Sequence, residues 1–390
     1  MTTIRRWAAG VVAALALGGC SAGATSGTAV PAGAAAPDAP AVLTLTPADG
    51  ATGVSPVDPI SVAVAGGRLE AVALTSPAGK RVTGTPTEDG AAWTVAEPLG
   101  FGKTYTWSGT AVGGDGGRVP VSGEFTTVTP TGTTHASLNV TDDKAYGVAM
   151  PIKVTFDPPV TDRAAAERRL AVETSVPTEG SWAWLDGGAA AHWRPKEYWK
   201  PHTEVTVTAA VYGVDLGGGV HGDEDVSASF SIGRSQIVKA VTKTHRMIVI
   251  RDGKQVHDFP ASYGLESDRR RVTRSGVHVV MEKYRTKGMT NPTFGYSDVQ
   301  VPFAVRIHNN GEFIHGYAPS VASQGRENVS HGCINLSPAN AETYFNSVLT
   351  GDPVEVVSEV EMGEFDDDYG DYYDWVIPWA EWQKKSALVG

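Results

Sequence analysis

The chain has 390 residues, 41% hydrophobic and 19% charged, with a formal net charge of −11. That balance suits ordinary globular domains, about three of modest size, and its acidic sign argues against a nucleic-acid partner and against adhesion to anionic lipid. Only two cysteines are present, Cys20 and Cys333.

The N-terminus places Arg5 and Arg6 before an apolar run from Trp7 to Leu17. This is the pattern of a bacterial export signal, too short for a stable membrane span. It ends Leu17-Gly18-Gly19-Cys20, which resembles a lipobox, the motif whose cysteine is acylated and becomes the mature N-terminus. Acyl chains hold a protein at a bilayer because each buried methylene contributes about 0.8 kcal/mol. Residues 1–20 therefore read as a lipoprotein signal peptide. Residues 21–41, rich in Ala, Gly, Thr, Ser and Pro, read as a flexible tether. The expected location is the extracytoplasmic face of the membrane, lipid-anchored and reaching into the wall. With Cys20 lipidated, Cys333 is the lone thiol of the exported part, so no intramolecular disulfide forms. It is either a buried small hydrophobe or a reactive group.

Apolar alternation, as in Ile60-Ser61-Val62-Ala63-Val64 and Glu204-Val205-Thr206-Val207-Thr208, bounded by Gly and Pro clusters, predicts strands over the first two-thirds of the chain. The pattern is duplicated. Ala91-Ala92-Trp93, then Thr104-Tyr105-Thr106-Trp107 and Val121-Ser122-Gly123-Glu124-Phe125, is answered by Ala191-His192-Trp193, Thr203-Glu204-Val205-Thr206-Val207 and Val226-Ser227-Ala228-Ser229-Phe230. One element order at that period predicts two tandem immunoglobulin-like β-sandwiches, over 42–128 and 129–234.

A third domain, mixed in structure but mainly β, is expected over 235–357. Met247 to Val256 reads as a hairpin across Asp252-Gly253, and Val305 to His315 as another across Asn310-Gly311. Gly276 to Met281 reads as a further strand. One short helix starts at Ser337-Pro338 and runs to near Gly351, with Ala341, Tyr344, Phe345 and Val348 on one face. The tail, 358–390, begins acidic, which favours a solvated run. Its Trp375, Trp379 and Trp382 favour packing back onto a domain.

Cys333 has a setting that suits chemistry. His315 ends a predicted strand, His331 lies two residues before the thiol, and Gly332 separates them. An imidazole can take the thiol proton, and a glycine beside the nucleophile lets backbone N–H groups turn toward an oxyanion. His315-Gly316 followed by Ser330-His331-Gly332-Cys333-Ile334-Asn335 resembles the catalytic motif of the L,D-transpeptidase (YkuD) family. With the sandwiches, the lipobox and the Trp-rich tail, the whole chain resembles the mycobacterial, actinobacterial type. The resemblance implies an acyltransferase that attacks a peptidoglycan tetrapeptide stem through a cysteine thioester and expels D-Ala. The acceptor is the side-chain amine of diaminopimelate on another stem, which makes a 3→3 crosslink. It also implies carbapenems as inhibitors, and no cofactor or metal.

Carried onto this chain, the resemblance makes Cys333 the nucleophile and His315 the general base. Gly316, where relatives often carry serine, orients His315 through its backbone carbonyl. His331 lines the site, the N–H groups of Gly332 and Cys333 face the oxyanion, and Ser330 and Asn335 position the loop. Phe294 and Tyr296 fall where the family places aromatic residues of a substrate lid, although both suit a core equally well. Arg269, Arg270, Arg271 and Arg274 read as a solvated basic loop, with carboxylate binding as the alternative. A histidine at a strand end is ordinarily a surface residue, and that reading holds for His245, His278 and His308. Three rival readings remain: zinc held by His315, His331 and Cys333; an L,D-carboxypeptidase using water as acceptor; and a non-catalytic wall-binding scaffold.

Overall fold

The computed structural model describes residues 39–185, 189–358 and 372–389. Cys20, most of the tether and the acidic stretch 359–371 lie outside the described residues.

The fold is mainly β. The first sandwich comprises β1 (Val42–Thr46), β2 (Ala51–Val54), β3 (Ser61–Ala65), β4 (Gly67–Thr75), β5 (Gly84–Pro86), β6 (Ala92–Val95), β7 (Thr104–Gly113) and β8 (Arg118–Thr127). Its sheets run β1-β3-β6-β5 and β2-β8-β7-β4. The second comprises β9 (Gly132–Leu138), β10 (Ala145–Tyr146), β11 (Ile152–Asp157), α1 (Arg163–Glu167), β12 (Leu170–Thr174), β13 (Gly180–Leu185), β14 (Ala190–Pro195), β15 (Glu204–Ala209), β16 (Val220–Gly222) and β17 (Val226–Ile232). Its sheets run β13-β14-β11-β9-β16 and β10-β17-β15-β12. Apart from β16, strand for strand, this is the order of the first.

Alternating burial in β3 and β15 shows why these segments are strands: every second side chain enters the core between the sheets. The duplication extends to packing. Trp93 covers Gly84 and Trp193 covers Gly180 so closely that a Cβ on either glycine would lie 2.0 Å and 1.9 Å from the respective ring. In both cases the glycine is diagonal to the tryptophan on the neighbouring strand.

The third domain comprises β18 (Gln236–Val241), β19 (Arg246–Arg251), β20 (Lys254–Pro260), β21 (Gly276–Val279), β22 (Glu282–Asn291), β23 (Tyr296–Arg306), β24 (Phe313–Gly316), β25 (Ile334–Leu336), α2 (Pro338–Ser347) and β26 (Pro353–Val357). One sheet is β20-β19-β18-β26-β21 and the other β22-β23-β24-β25. Their shared core includes Val238, Met247, Tyr263, Ile314, Ile334 and Tyr344. Asp252 and Gly253 turn the first hairpin with φ of 48° and 76°, the mirror-image turn that suits strand twist.

Helix α2 is capped by Ser337, whose side chain accepts from the Asn340 N–H, and it buries Ala341, Tyr344 and Phe345. It stops at Ser347, short of Gly351. Val348 takes an extended backbone with ψ of 143° and enters the core, while the Leu349 N–H donates to Asp352 at 2.9 Å. That early exit turns the chain into β26.

The third domain is joined to the second sandwich by backbone hydrogen bonds from Gly147 to Thr350 (2.7 Å) and Ala149 to Gly351 (2.8 Å), and by the two-pronged Arg234–Asp352 pair at 2.8 Å. The tail, with α3 (Trp379–Gln383), also lies on the second sandwich. Trp375 donates to the Ala149 carbonyl at 2.8 Å and Trp382 to that of Ser181 at 2.9 Å. Glu167 accepts from Trp184 Nε1 and from the Ala387 N–H at the chain's far end.

Candidate active site

A parallel ladder sets the site. β24 and β25 pair His315 with Asn335, and Cys333 stands two residues before Asn335, so Cys333 and His315 share one face. Both line a cavity of about 600 Å³. His315 is buried, with Nδ1 3.0 Å from the Gly316 carbonyl. That carbonyl can only accept, so Nδ1 carries the proton and Nε2 is left as the basic nitrogen. Burial holds His315 down to about 4, against a smaller upward pull from Gly316. Burial likewise pushes the Cys333 thiol up to about 12, opposed by a hydrogen bond from the Phe313 backbone and reinforced by the Glu312 charge. The half-buried thiol approaches the Gly311 carbonyl at 3.5 Å.

The loop that carries Cys333 is braced from within. Ser330 Oγ donates to the Cys333 carbonyl at 2.6 Å and accepts the Gly332 N–H at 3.2 Å. The Gly332 N–H, expected to face the oxyanion, is thus turned to Ser330, and the Cys333 N–H is the donor candidate that the loop leaves. Gly332 adopts φ of 120°, a conformation that suits glycine, and its carbonyl accepts from Thr273 at 2.8 Å. Asn335 braces through its backbone, exchanging hydrogen bonds with Ser262 at 3.0 and 2.8 Å. Its side chain lines the cavity with a buried Oδ1 that has no hydrogen-bond partner among the described residues.

His331 is exposed at the rim, its ring 4.6 Å from that of Phe294 and 5.4 Å from that of Tyr296. Burial and Arg271 lower its pKa, and Asp268 opposes them. Phe294 and Tyr296 border the cavity beside Cys333 and do not belong to the core clusters. Zinc binding by His315, His331 and Cys333 finds no support: the group of His, Cys, Asp or Glu ligand atoms lying within 4.8 Å of one another, among the described residues, is exposed His135, Asp223 and Glu224 on the second sandwich.

The arginine loop is not simply solvated. Arg271 donates to the carbonyls of Ser330 (3.1 Å) and Val329 (2.5 Å), and Arg274 pairs with buried Glu312 at 3.2 Å. Arg270 pairs with Asp268 and lies over the Phe294 ring. His278 and His308 are also not surface residues. Both are fully buried, their rings 5.8 Å apart, and desolvation holds them down to about 4 and about 3. His245 bonds Asn328 at 2.8 Å. Thr273, Glu312 and the bracing role of Arg271 escaped the sequence reading. Their partners lie 38 to 59 residues away, and no local spacing signals such pairs.

The chain is similar to known proteins over most of its length. The family description "Bacterial Ig domain" matches residues 51–215, and "L,D-transpeptidase catalytic domain" matches 235–356. L,D-transpeptidase 5 of Mycobacterium tuberculosis is 49% identical over 350 residues, 89% of this chain and 77% of the relative. L,D-transpeptidase 2 of the same species is 36% identical over 352 residues, 88% and 85% of the two chains. A solved LD transpeptidase, LdtMt1 in complex with imipenem, is 37% identical and superposes with a TM-score of 0.50, over 58% of this chain and 100% of that one.

Proposed function

The chain belongs to the L,D-transpeptidase family of acyltransferases, and from that premise we propose that it forms 3→3 peptidoglycan crosslinks through a thioester on Cys333. The observation that carries this is the tautomer lock on His315. The Gly316 carbonyl holds Nδ1–H, which leaves Nε2 basic beside a cavity that also holds the thiol. Burial raises the thiol and lowers the imidazole, which favours the neutral forms of both and suits His315 to act as a base during attack.

Cys333 Sγ attacks the carbonyl of the third stem residue as its proton passes to His315 Nε2. The oxyanion forms near the Cys333 N–H. Its collapse breaks the C–N bond to the terminal D-Ala, and His315 returns the proton to the departing amine. The side-chain amine of diaminopimelate on a second stem then attacks the thioester and gives its proton to His315. The C–S bond breaks and the thiolate takes the proton back. Phe294, Tyr296 and His331 wall the entrance. Carbapenems acylate the same sulfur, a reading supported by the imipenem complex of the relative.

The working location is the outer face of the membrane, with Cys20 lipidated, residues 21–41 as the tether and the sandwiches as a stalk. No helix among the described residues is long and apolar enough to cross a membrane.

Incubating the full chain in detergent with a disaccharide-tetrapeptide, and reading protein mass and products, tests the proposal. A dimer lacking one D-Ala with 3→3 linkage is the expected product. Tripeptide without dimer reassigns the reaction to a carboxypeptidase. No adduct on Cys333 with either substrate or imipenem returns the chain to a wall-binding role.

A further inference from the structure

Two irregularities of sheet structure stand side by side in β23, the strand next to that of His315. β23 lies inside its sheet, between β22 and β24. Proline cannot donate to a ladder, and Pro302 sits in β23 beyond its last pair with β24, where β22 is its ladder partner. The next residue, Phe303, has φ of 55°, a left-handed conformation that is unfavourable for an aromatic side chain. The β22–β23 ladder omits its pair at Phe303, whose ring instead rests 5.7 Å from that of Phe345 on α2. The β23–β24 ladder ends at Val305↔Ile314, two residues short of Gly316. Adjacent irregularities of this kind are kept only where the surroundings hold them, and they collect at functional sites.

The geometry shows what they accomplish. A Cβ built on Gly316 would stand 3.0 Å from Pro302 Cγ, 3.0 Å from Pro338 Cα and 3.3 Å from the Pro302 carbonyl oxygen, inside ordinary carbon contact distance. Gly316 therefore lies where any side chain would press on the proline of β23 and the first residue of α2. Its carbonyl, lying beyond the paired part of β23 and β24, takes Nδ1–H of His315. We infer that Pro302, aimed by the kink at Phe303, is a positioning residue for His315 that acts through Gly316. This rests on the base role given to His315 above.

The test is the rate of Cys333 acylation by imipenem, followed by intact mass from pH 8 down to about 4, in the full chain and in its Pro302→Ala, Gly316→Ala, double and His315→Ala variants. Loosening this packing is expected to slow acylation roughly tenfold in Pro302→Ala, a fraction of what a full ångström of misplacement costs. It should also move the acid limb to lower pH, because the Gly316 bond is what pulls the His315 pKa upward. Gly316→Ala is expected to be slower still, and the double variant no slower than Gly316→Ala, since both changes act on one contact. Pro302→Val keeps bulk against Gly316, should retain most of the rate, and serves if the alanine variant does not fold. A Pro302→Ala protein with wild-type rate and pH profile overturns the inference, as does a slower rate with an unmoved profile or additive losses. If His315→Ala is slow while Pro302→Ala is normal, only the positioning role falls. A normal rate in His315→Ala removes the base role and the positioning role with it.

Discussion

His315 and His192 are both buried, and both are hydrogen-bonded through Nδ1 at 3.0 Å. His315 faces the Gly316 carbonyl and a cavity shared with Cys333, Phe294 and Tyr296. His192 faces Asp374 at the seam between the second sandwich and the tail, where Arg194 is enclosed by the rings of Trp375, Trp379 and Trp382 at 4.8, 5.1 and 4.8 Å. In composition the two regions are near relatives. What separates them is access: the first leaves a basic nitrogen beside open volume, while in the second the His192 Nε2 and Asp374 Oδ2 are buried with no hydrogen-bond partner among the described residues. A buried polar cluster becomes a reactive site when a substrate can reach its unshared lone pair, and otherwise it acts as a fastener whose cost is offset by specificity of docking.

That contrast makes graded predictions. Cys333→Ala should abolish the acyl-enzyme, and any mass adduct with imipenem in that variant would place the reactive group elsewhere. His315→Ala should slow acylation by roughly 10²- to 10⁴-fold, the usual contribution of a positioned base, measured by stopped reactions at pH 7. At the seam, Trp382→Ala should cost about 3–5 kcal/mol in urea unfolding yet leave the acylation rate of folded protein within about twofold, as expected of changes at distant independent sites. A large loss of acylation in the folded Trp382→Ala protein would erase the distinction between the two regions.

The smallest effect is a pH dependence. His278 and His308 have folded pKa values near 4 and 3, below the ordinary 6.5, so the unfolded chain binds more protons once the pH drops below 6.5. Their contribution is therefore complete above about 6.5 and declines as the pH falls toward 4. The loss should be on the order of 1–3 kcal/mol in the third domain. Thermal unfolding at pH 7 and pH 4.5 with His278→Phe as the control measures it, and an unchanged pH dependence in that variant would remove His278 from the account.

The two sandwiches were legible because period-two burial and the repeated Trp-bearing strands are written in neighbouring residues. The site motif was legible for the same reason, since Ser330 to Asn335 is one continuous loop whose glycine, thiol and hydroxyl act on each other over two or three residues. The start of α2 could be read from its cap, but its end could not, because Val348 leaves the helix to fill a core built by distant strands.

By itself, then, the sequence determined the β character, the duplication, and the presence of one thiol flanked by histidines, all of which depend on local spacing and side-chain chemistry. Only the tertiary structure decided that the Gly332 N–H turns to Ser330, that the arginine loop braces the Cys333 loop, that the described part of the tail packs on the second sandwich, and that Pro302 stands beside Gly316. Those outcomes depend on which distant surfaces meet, and a buried donor takes whichever acceptor the packing brings within reach.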